Sequence, residues 1–457
     1  MKELKDIQKV YFIGIGGIGM SALARYFKSV GKDVSGYDRT ETTLTQQLTA
    51  EGINIHYTDD VELAPKDADI VVYTPAIPKN HAELLYYQEH EYDLLKRSDV
   101  LGMITRSSFN ICVAGTHGKT TITTMIAHIL RHTGYGCNAF LGGIAANYNS
   151  NFWSSPNNVC VVEADEYDRS FLKLSPDIAV ISAMDADHLD IYGTAEEMEN
   201  AFIAFAGKIK KNGTLFSKFG LEHELKADHH YTYSIQQWRA DIHAENIRSN
   251  NGGYLFDVKT PQVLIKDIRL YMGGLHNVEN VSVAIGVAKA LNIDDEKIKA
   301  AVADFKGVKR RFEYIVPVAD GDGIVYVDDY AHHPAELEAL LSGAKLLFPQ
   351  KKCTVIFQPH LFSRTKDFAD AFAASLDLAD ETVLLPIYPA RELPMEGVTS
   401  EMILSRMKNP NKSIKSKEGL MDWVEHDYKQ NKNALLITAG AGDIDKLIEP
   451  IKKIITA

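Results

Sequence analysis

The chain has few cysteines and no excess of positive charge, and each of these features excludes a class of function. Its 457 residues include four cysteines (Cys112, Cys137, Cys160 and Cys353), which lie far apart and lack the spacing of a metal-binding cluster. We therefore expect buried free thiols and a reducing, cytoplasmic location. The formal net charge of −12 argues against non-specific nucleic-acid binding, so phosphate ligands would need local cations.

Long apolar runs and repeats are also missing. No stretch approaches the roughly 18 apolar residues of a membrane span, and the first residues lack the apolar core of a signal peptide. We find no internal repeat, heptad pattern or low-complexity tract. With 45% hydrophobic and 24% charged residues, the composition is that of a globular protein without a membrane partner. The length predicts about three domains.

The most informative segment present is a glycine turn between a strand and a helix. Residues 109–121 are FNICVAGTHGKTT, in which an apolar run precedes the glycines and helical spacing follows them. The backbone N–H groups of such a turn bind phosphate oxygens, a lysine neutralises the terminal phosphates and a threonine hydroxyl binds Mg²⁺. Val113 stands where the strict phosphate-loop pattern has glycine, which leaves Gly-x-x-Gly-Lys-Thr. An ordinary turn is the alternative, but the pattern favours ATP binding by Gly115, Thr116, His117, Gly118, Lys119, Thr120 and Thr121.

A second glycine-rich turn lies near the N-terminus. The strand Lys9–Ile13 is followed by GIGGIGMS at 14–21, a helix over Ala22–Val30 and a strand over Asp33–Tyr37 that ends at Asp38. Gly-x-Gly-x-x-Gly after a strand, with an acid about 20 residues later, is typical of diphosphate and ribose binding. A glycine turn without a ligand is the alternative.

Alternation of strands and helices predicts an α/β protein of three domains. We place a Rossmann-like nucleotide-binding domain at 1–106, a central phosphate-loop ATPase domain at 107–311 and a Rossmann-like C-terminal domain at 312–457. Between about Thr214 and Gly274 short strands predict a small β appendage on the central domain.

Acidic residues and a histidine follow two apolar strands of the central segment. Glu163 ends one strand, where a carboxylate can complete Mg²⁺ coordination begun by Thr120. The next acids, Asp165 and Glu166, are better explained as solvated loop residues. His188 follows another strand and could be a further metal ligand, although a lone histidine is more often structural.

Two diphosphate loops in one chain need a joint explanation. If the first bound NAD, the chain would be an oxidoreductase and the second loop would be superfluous. If the second binds ATP, the first more plausibly grips a nucleotide-linked substrate, which favours an ATP-driven ligase.

Several motifs resemble the Mur ligase family. They are GIGGIGMS from Gly14, GTHGKT from Gly115, EADE from Glu163, DHLDxY from Asp187, HN at 276, RRFE from Arg310, DDYAHHP from Asp328 and GAGD from Gly440. The resemblance implies UDP-binding, ATP-binding and amino-acid-binding domains. It implies that ATP phosphorylates the lactyl carboxylate of UDP-N-acetylmuramate and that the amine of L-alanine attacks the acyl phosphate.

The resemblance also implies roles for individual residues. Catalytic roles fall to Lys119, His188, Arg364 and His332, and metal binding, of Mg²⁺ or Mn²⁺, to Thr120, Glu163 and His188. The ATP site would add Asn277, Asn280, Arg310 and Tyr330 to the phosphate loop. The UDP-sugar would contact Gly16, Gly17, Ile18, Gly19, Met20, Ser21, Asp38, Thr74, His188 and Arg364.

Some questions stay open at this stage. The proton of the alanine amine could pass to His332, His333 or Asp329. Leu361 stands where many family members have arginine, so Arg364, or Arg391 nearby, must do more of the anion binding. A ligase that attaches a tripeptide to the same nucleotide sugar in murein recycling is the main alternative, and an NAD-dependent oxidoreductase is a distant one. We expect a monomer or homodimer.

Overall fold

The N-terminal part of the chain forms a parallel five-stranded sheet. The structure is a computed structural model that describes residues 3–185, 189–221, 225–316, 323–390 and 392–457. The strand order is β3-β2-β1-β4-β5. The strands are β1 (Lys9–Ile13), β2 (Asp33–Tyr37), β3 (Asn54–His56), β4 (Ile70–Tyr73) and β5 (Leu94–Lys96), and the helices are α1 (Ile18–Ser29), α2 (Thr43–Ala50), α3 (Ala82–Glu89) and α4 (Arg97–Arg106).

The order of this sheet reverses next to β1, and ligands of such sheets bind at the carboxyl ends of the strands flanking that point. The glycine loop leaves β1 there. Helix α1 begins at Ile18, four residues before the predicted start, because Gly17 already serves as its N-terminal cap.

A ten-stranded sheet follows, in the order β15-β14-β13-β12-β11-β10-β6-β9-β7-β8. Its strands are β6 (Phe109–Ala114), β7 (Asn138–Ala145), β8 (Ser150–Trp153), β9 (Val159–Glu163), β10 (Ile178–Ile181), β11 (Thr214–Lys218), β12 (His229–Ser234), β13 (Ile242–Asn250), β14 (Gly253–Lys259) and β15 (Leu264–Leu270). Its helices are α5 (Lys119–His132), α6 (Leu189–Tyr192), α7 (Ala195–Ala206), α8 (Leu275–Ala290) and α9 (Asp295–Asp304). The β-rich segment predicted after Thr214 is present, and its strands extend this sheet.

The C-terminal part forms a six-stranded sheet of order β16-β17-β21-β18-β19-β20, parallel except for β16. The strands are β16 (Glu313–Val316), β17 (Val325–Asp329), β18 (Lys352–Phe357), β19 (Glu381–Leu384), β20 (Lys412–Ile414) and β21 (Ala434–Ala439). The helices are α10 (Pro334–Leu347), α11 (Phe362–Leu376), α12 (Glu401–Leu404), α13 (Lys417–His426) and α14 (Asp445–Thr456). The α/β class is therefore confirmed.

The chain divides into two compact units. One contains Met1–Glu245, Asp257–Ile268 and Glu279–Phe305, and the other contains Asn246–Phe256, Arg269–Val278 and Lys306–Ala457. The first unit thus holds the first sheet and most of the second. The predicted domain boundaries near 106 and 311 stay predictions.

Apolar side chains fill the space between sheets and helices, as the sequence pattern predicts. On α5 the residues at helical spacing (Ile122, Met125, Ile126, Ile129 and Leu130) are at most 1% exposed. All four cysteines are buried and unpaired, which confirms the expectation of free thiols. Among the described residues we find no helix long and apolar enough to cross a bilayer.

Candidate active site

The phosphate loop closes around two glycines that no other residue could replace without strain. Gly115 has φ +132°, and a Cβ added to it would lie 2.2 Å from Ser182 Oγ. Gly118, at φ +79°, caps α5 in the left-handed region. Thr116 Oγ1 is buried and has no hydrogen-bond partner among the residues that the structure describes. A tight turn at a helix N-terminus with an unpaired hydroxyl fits the oxygens of a polyphosphate.

Lys119, the first residue of α5, is held in an ion pair. Its Nζ donates to the Gly115 carbonyl and to Glu166 Oε1, both at 2.7 Å. The Glu166 side chain is 1% exposed, so the expectation that it is a solvated loop acid is wrong. The reason is that Tyr192 donates from its hydroxyl to the Glu166 carbonyl at 2.6 Å, which holds this segment against the protein.

Thr120 and Glu163, two of the three predicted metal ligands, meet at the end of β9. Thr120 Oγ1 donates to Glu163 Oε1 at 3.0 Å, and the Gly142 N–H donates to Glu163 Oε2 at 3.0 Å. The third predicted ligand, His188, lies outside the described residues. No group of three His, Cys, Asp or Glu side chains placed to hold a metal occurs in the ranges described. A carboxylate and a hydroxyl are nevertheless ligands that suit Mg²⁺.

The rest of the phosphate-loop motif is also placed. Thr121 is buried in the first turn of α5. His117 is largely exposed, with Nε2 at 3.4 Å from Asp185 Oδ2. Asn280 of α8 lies against the loop, because a Cβ added at Gly118 would be 3.0 Å from its Oδ1. Asn277, in the other unit, donates to the Gly273 carbonyl at 2.6 Å.

The first glycine loop is ordered by Asp38. Its Oδ2 accepts from the Gly16 N–H at 2.8 Å and its Oδ1 from the Thr40 N–H at 3.2 Å. The carboxylate predicted to contact a ribose thus supports the loop backbone. Ser21 is fully buried, and its hydroxyl accepts from Asn151 Nδ2 at 3.0 Å.

One cavity of about 420 Å³ joins this loop to the acidic strand end. The cavity is lined by four residues of the glycine loop (Gly17, Ile18, Gly19 and Met20), by Thr74 and Arg97, and by the acids Glu163 and Asp165. Gly16, Ser21 and Asp38 are not among the lining residues. The cavity therefore connects the predicted diphosphate loop with one of the predicted metal ligands.

Arg97 is a cavity residue that the sequence analysis missed. Its Nη2 donates to Asp165 Oδ2 at 2.9 Å, so Asp165 is paired and not simply solvated. A Cβ added at Gly19 would lie 2.7 Å from Arg97 Nη1, which places the guanidinium directly over the loop. A basic residue immediately after the β5 strand is a signal that could have identified it, because strand carboxyl ends surround such sites.

In the second compact unit, which contains Lys306–Ala457 and is called the C-terminal unit below, Arg310 forms an ion pair with a buried acid. Its Nε donates to Asp328 Oδ2 at 3.1 Å and its Nη2 to the Gly440 carbonyl at 2.6 Å, and its guanidinium lies 5.2 Å from the centre of the Tyr330 ring. Burial raises the pKa of Asp328 to about 7, against the opposing effect of Arg310. Arg310, which the resemblance places in the ATP site, thus has two of its nitrogens bonded within the protein.

His332, His333 and Asp329 are the three candidate acceptors of the amine proton, and their surroundings differ. His332 Nδ1 lies 3.0 Å from the Tyr330 carbonyl, which can only accept, so Nδ1 carries the proton and Nε2 the lone pair. Burial lowers the pKa of His332, which keeps the ring neutral. His333 instead accepts from the Ala335 N–H as the cap of α10. Asp329, whose pKa burial raises to about 6, accepts from two backbone N–H groups.

His360 and Arg364 present buried nitrogens beside this histidine. The ring of His360 lies 6.1 Å from that of His332 and is stacked with Tyr388 at 5.8 Å. His360 Nδ1 and Arg364 Nη1 are buried and find no hydrogen-bond partner within the described part of the chain. Arg364 lies in the first turn of α11, and its guanidinium is partly buried. Arg391 lies outside the described residues.

Family models match the chain in three consecutive parts. The Mur ligase family catalytic domain matches residues 9–109, the Mur ligase middle domain 113–288, and the glutamate ligase domain of Mur ligases 310–442.

Relatives match over almost the whole length. The UDP-N-acetylmuramate–L-alanine ligase of Flavobacterium johnsoniae is 47% identical over 457 residues, covering 99% of each chain. That of Parabacteroides distasonis is 46% identical over 462 residues, covering 99% of this chain and 98% of its own. The crystal structure of the UDP-N-acetylmuramate–alanine ligase of Thermotoga maritima has a TM-score of 0.79 at 29% identity, covering 98% of each chain. A murein peptide ligase from Psychrobacter arcticus, at 23% identity and a TM-score of 0.64, shares the fold.

Proposed function

We propose that this chain, which belongs to the Mur ligase family, joins L-alanine to the lactyl carboxylate of UDP-N-acetylmuramate while ATP is converted to ADP and phosphate. The observation that carries the proposal is the 420 Å³ cavity, in which the first glycine loop and Glu163 line one space. A nucleotide-linked substrate held by that loop has its reactive end near the Thr120–Glu163 pair. The choice of L-alanine rests on relatives of 44–48% identity that carry that name.

The reaction needs an activated carboxylate. A carboxylate oxygen of the substrate attacks the γ-phosphorus of ATP, the bond to ADP breaks, and an acyl phosphate forms. The amine of L-alanine then attacks the acyl carbon, phosphate leaves, and the amine loses a proton. Because two anions approach each other in the first step, the site must screen their repulsion.

Lys119 supplies part of that screening. Its ammonium is held by Glu166 and the Gly115 carbonyl, at the position where the terminal phosphates enter. We propose that it turns to the phosphates when ATP binds. Mg²⁺, which Mn²⁺ could replace, would be held by Thr120 and Glu163, with His188 as the predicted further ligand, and would neutralise the phosphate oxygens.

At the other substrate, Arg97 and the N–H groups of the first loop would hold the diphosphate. Arg97 already stands over Gly19, with its other nitrogen on Asp165. In the C-terminal unit His360 and Arg364 would bind the carboxylate of L-alanine through their unpaired nitrogens. His332 would accept the amine proton at Nε2, because its Nδ1 proton is directed at the Tyr330 carbonyl.

The test is release of phosphate from ATP with UDP-N-acetylmuramate and one amino acid at a time. We expect turnover with L-alanine and at least about tenfold less with glycine or L-serine. Product formed only from the tripeptide L-alanyl-γ-D-glutamyl-diaminopimelate would identify the recycling ligase instead. Reduction of NAD in place of ADP release would favour the oxidoreductase, which family membership opposes. A cytoplasmic location and a monomeric or dimeric state stay predictions.

A further inference from the structure

Two loops of the C-terminal unit are joined at the carboxyl ends of neighbouring parallel strands. The loop after β18 begins at Gln358 and the loop after β19 begins at Leu385. The Tyr388 N–H donates to the Pro359 carbonyl at 2.8 Å, and the Leu361 N–H donates to the Tyr388 carbonyl at 2.9 Å. These bonds form a short parallel bridge between His360 and Tyr388, whose rings are stacked.

The first of these loops contains a strained residue. Leu361 has φ +68° and ψ 137°, where the Cβ of an L-residue crowds its own backbone. Such a conformation persists only if its surroundings hold it in place. Leu361 lies directly after His360 and is followed at once by α11, so its backbone angles decide how His360 is placed relative to Arg364.

The loop after β19 makes a second attachment to the loop after β18, at Ser363, two residues after Leu361. Glu392 Oε2 accepts from the Ser363 N–H at 3.0 Å, and its Oε1 accepts from the Ser363 hydroxyl. The Phe362 N–H also contributes a hydrogen bond, and together these donors lower the pKa of Glu392. A carboxylate at the N-terminus of the 15-residue α11 is further stabilised by the helix dipole. The strained turn is thus held on one side by Tyr388 and on the other by Glu392.

Two buried nitrogens next to these attachments have no hydrogen-bond partner among the described residues. His360 Nδ1 and Arg364 Nη1 are buried and unpaired among the described residues; the guanidinium N–H is a donor suited to a carboxylate, and the imidazole is one in the tautomer that carries its proton on Nδ1. The fastening carboxylate is itself satisfied by Ser363, so it is not available to neutralise Arg364.

We propose that Glu392 is a positioning residue for the amino-acid substrate: by holding the Leu361 turn closed, it keeps His360 and Arg364 aligned for the substrate carboxylate. The proposal rests on the proposed function only for the identity of that ligand. Glu392 does not touch the substrate and acts through Ser363 and the turn.

Steady-state kinetics of the full-length Glu392→Ala variant test the role. We expect the KM for L-alanine to rise about tenfold, while kcat and the KM values for ATP and the nucleotide sugar change less than about twofold. Glu392→Gln, which keeps an oxygen acceptor for Ser363, should recover most of the loss. Glu396→Ala is the matched control, because Glu396 is an exposed carboxylate in the same loop. An unchanged KM for L-alanine, or an equal rise in all three KM values, would overturn the proposal.

A double-mutant cycle tests whether Glu392 acts through the strained backbone conformation of Leu361. Glycine adopts the Leu361 conformation without cost, so Glu392→Ala should raise the KM for L-alanine less in a Leu361→Gly background than alone. Equal effects in the two backgrounds would contradict a role through this turn.

Hydrogen exchange separates this proposal from the proposed function. The amides of Phe362 and Ser363 should exchange at least about tenfold faster in Glu392→Ala than in the wild type, with no substrate needed. Unchanged exchange would refute the fastening even if the enzyme is active. If the variant exchanges faster but the wild type makes no product from L-alanine, the alanine ligase function is refuted and the fastening stands.

Discussion

At the scale of single residues, the ammonium of Lys119 is held in the loop proposed to bind the phosphates of ATP. It donates to the Gly115 carbonyl and forms an ion pair with the buried carboxylate of Glu166, so these two charges compensate each other. A polyphosphate that enters the loop offers equivalent oxygens. For the lysine, the free energy of exchanging its present partners for phosphate oxygens is therefore close to zero. The phosphate gains a positively charged neighbour in a chain whose formal net charge is −12.

Removal of this ammonium should separate catalysis from substrate binding at the other loop. We expect Lys119→Ala to lower ADP release about a thousandfold or more, because nothing else in the loop carries positive charge to the terminal phosphates. The dissociation constant for UDP-N-acetylmuramate, measured by calorimetry, should change less than about twofold. Lys211→Ala, at an exposed lysine of the same unit, is the control and should retain full activity. ADP release within tenfold of the wild type would remove the assigned role.

The protonation of His332 predicts a pH dependence. Burial lowers its pKa below the usual 6.5, so the ring stays neutral and able to accept a proton until the pH falls below that value. We expect kcat to be constant above pH 7 and to fall in acid with an apparent pKa under 6.5. His332→Ala should reduce kcat about a hundredfold at pH 8 and lose this acid limb. The control is His229→Ala, at an exposed histidine, which should keep the wild-type kcat and the acid limb. If His332→Ala also keeps the acid limb, His332 is not the base.

At the scale of elements, strand ends and helix starts place nearly every group discussed above. The phosphate loop joins β6 to α5, Glu163 ends β9, Arg97 begins α4, and Arg364 lies in the first turn of α11. Parallel strands bring their carboxyl ends to one edge, where helix N-termini and acidic side chains come together. The strand order thus places the groups proposed to bind anions and a metal ion at the ends of strands and the starts of helices.

The tightness of the phosphate loop can be tested with one methyl group. In Gly115→Ala the Cβ would lie 2.2 Å from Ser182 Oγ and 2.7 Å from the Ala183 nitrogen, so the loop must move away from β10. We expect the KM for ATP to rise tenfold or more in steady-state assays. Gly31→Ala is the control: φ is +79° there too, but no atom lies within 4 Å, so only backbone strain of about 1–2 kcal/mol is added. A normal KM for ATP in Gly115→Ala would contradict the geometry.

Sequence patterns predicted elements of this kind well and long-range pairs poorly. Helical spacing located α5 and α8, and the glycine motifs located both loops, because each pattern is local. The Lys119–Glu166 and Ser363–Glu392 contacts join residues 47 and 29 positions apart. Such pairs depend on how strands are ordered in the sheet, which single-sequence periodicity does not encode. For the same reason Glu166 was expected in solvent and Arg97 was not anticipated.

At the scale of the whole molecule, the residues proposed to take part in the reaction belong to both compact units. Lys119, Thr120 and Glu163 belong to the first, and Arg310, His332 and Arg364 to the second. In the proposed reaction of this acidic chain, three anionic participants (ATP, a nucleotide sugar and an amino-acid carboxylate) would be neutralised by a few local cations and by the proposed metal ion.

Metal removal should therefore abolish turnover without unfolding the protein. We expect excess EDTA to stop ADP release, and Mg²⁺ or Mn²⁺ added in excess to restore it. Circular dichroism should be unchanged, because Thr120 and Glu163 are held by hydrogen bonds to each other and to Gly142. Glu163→Gln should raise the Mg²⁺ concentration for half-maximal rate about tenfold or more. Full activity in EDTA would exclude the metal role.

The complete burial of Cys112, Cys137, Cys160 and Cys353 has a practical consequence. Because desolvation raises the pKa of each of these sulfhydryls, maleimide dyes should leave the native chain almost unlabelled. A pair of cysteines introduced at exposed positions, one on each unit, would then carry a donor and an acceptor fluorophore without any prior removal of natural sulfur. Energy transfer between them could follow the two halves of the enzyme through a catalytic cycle.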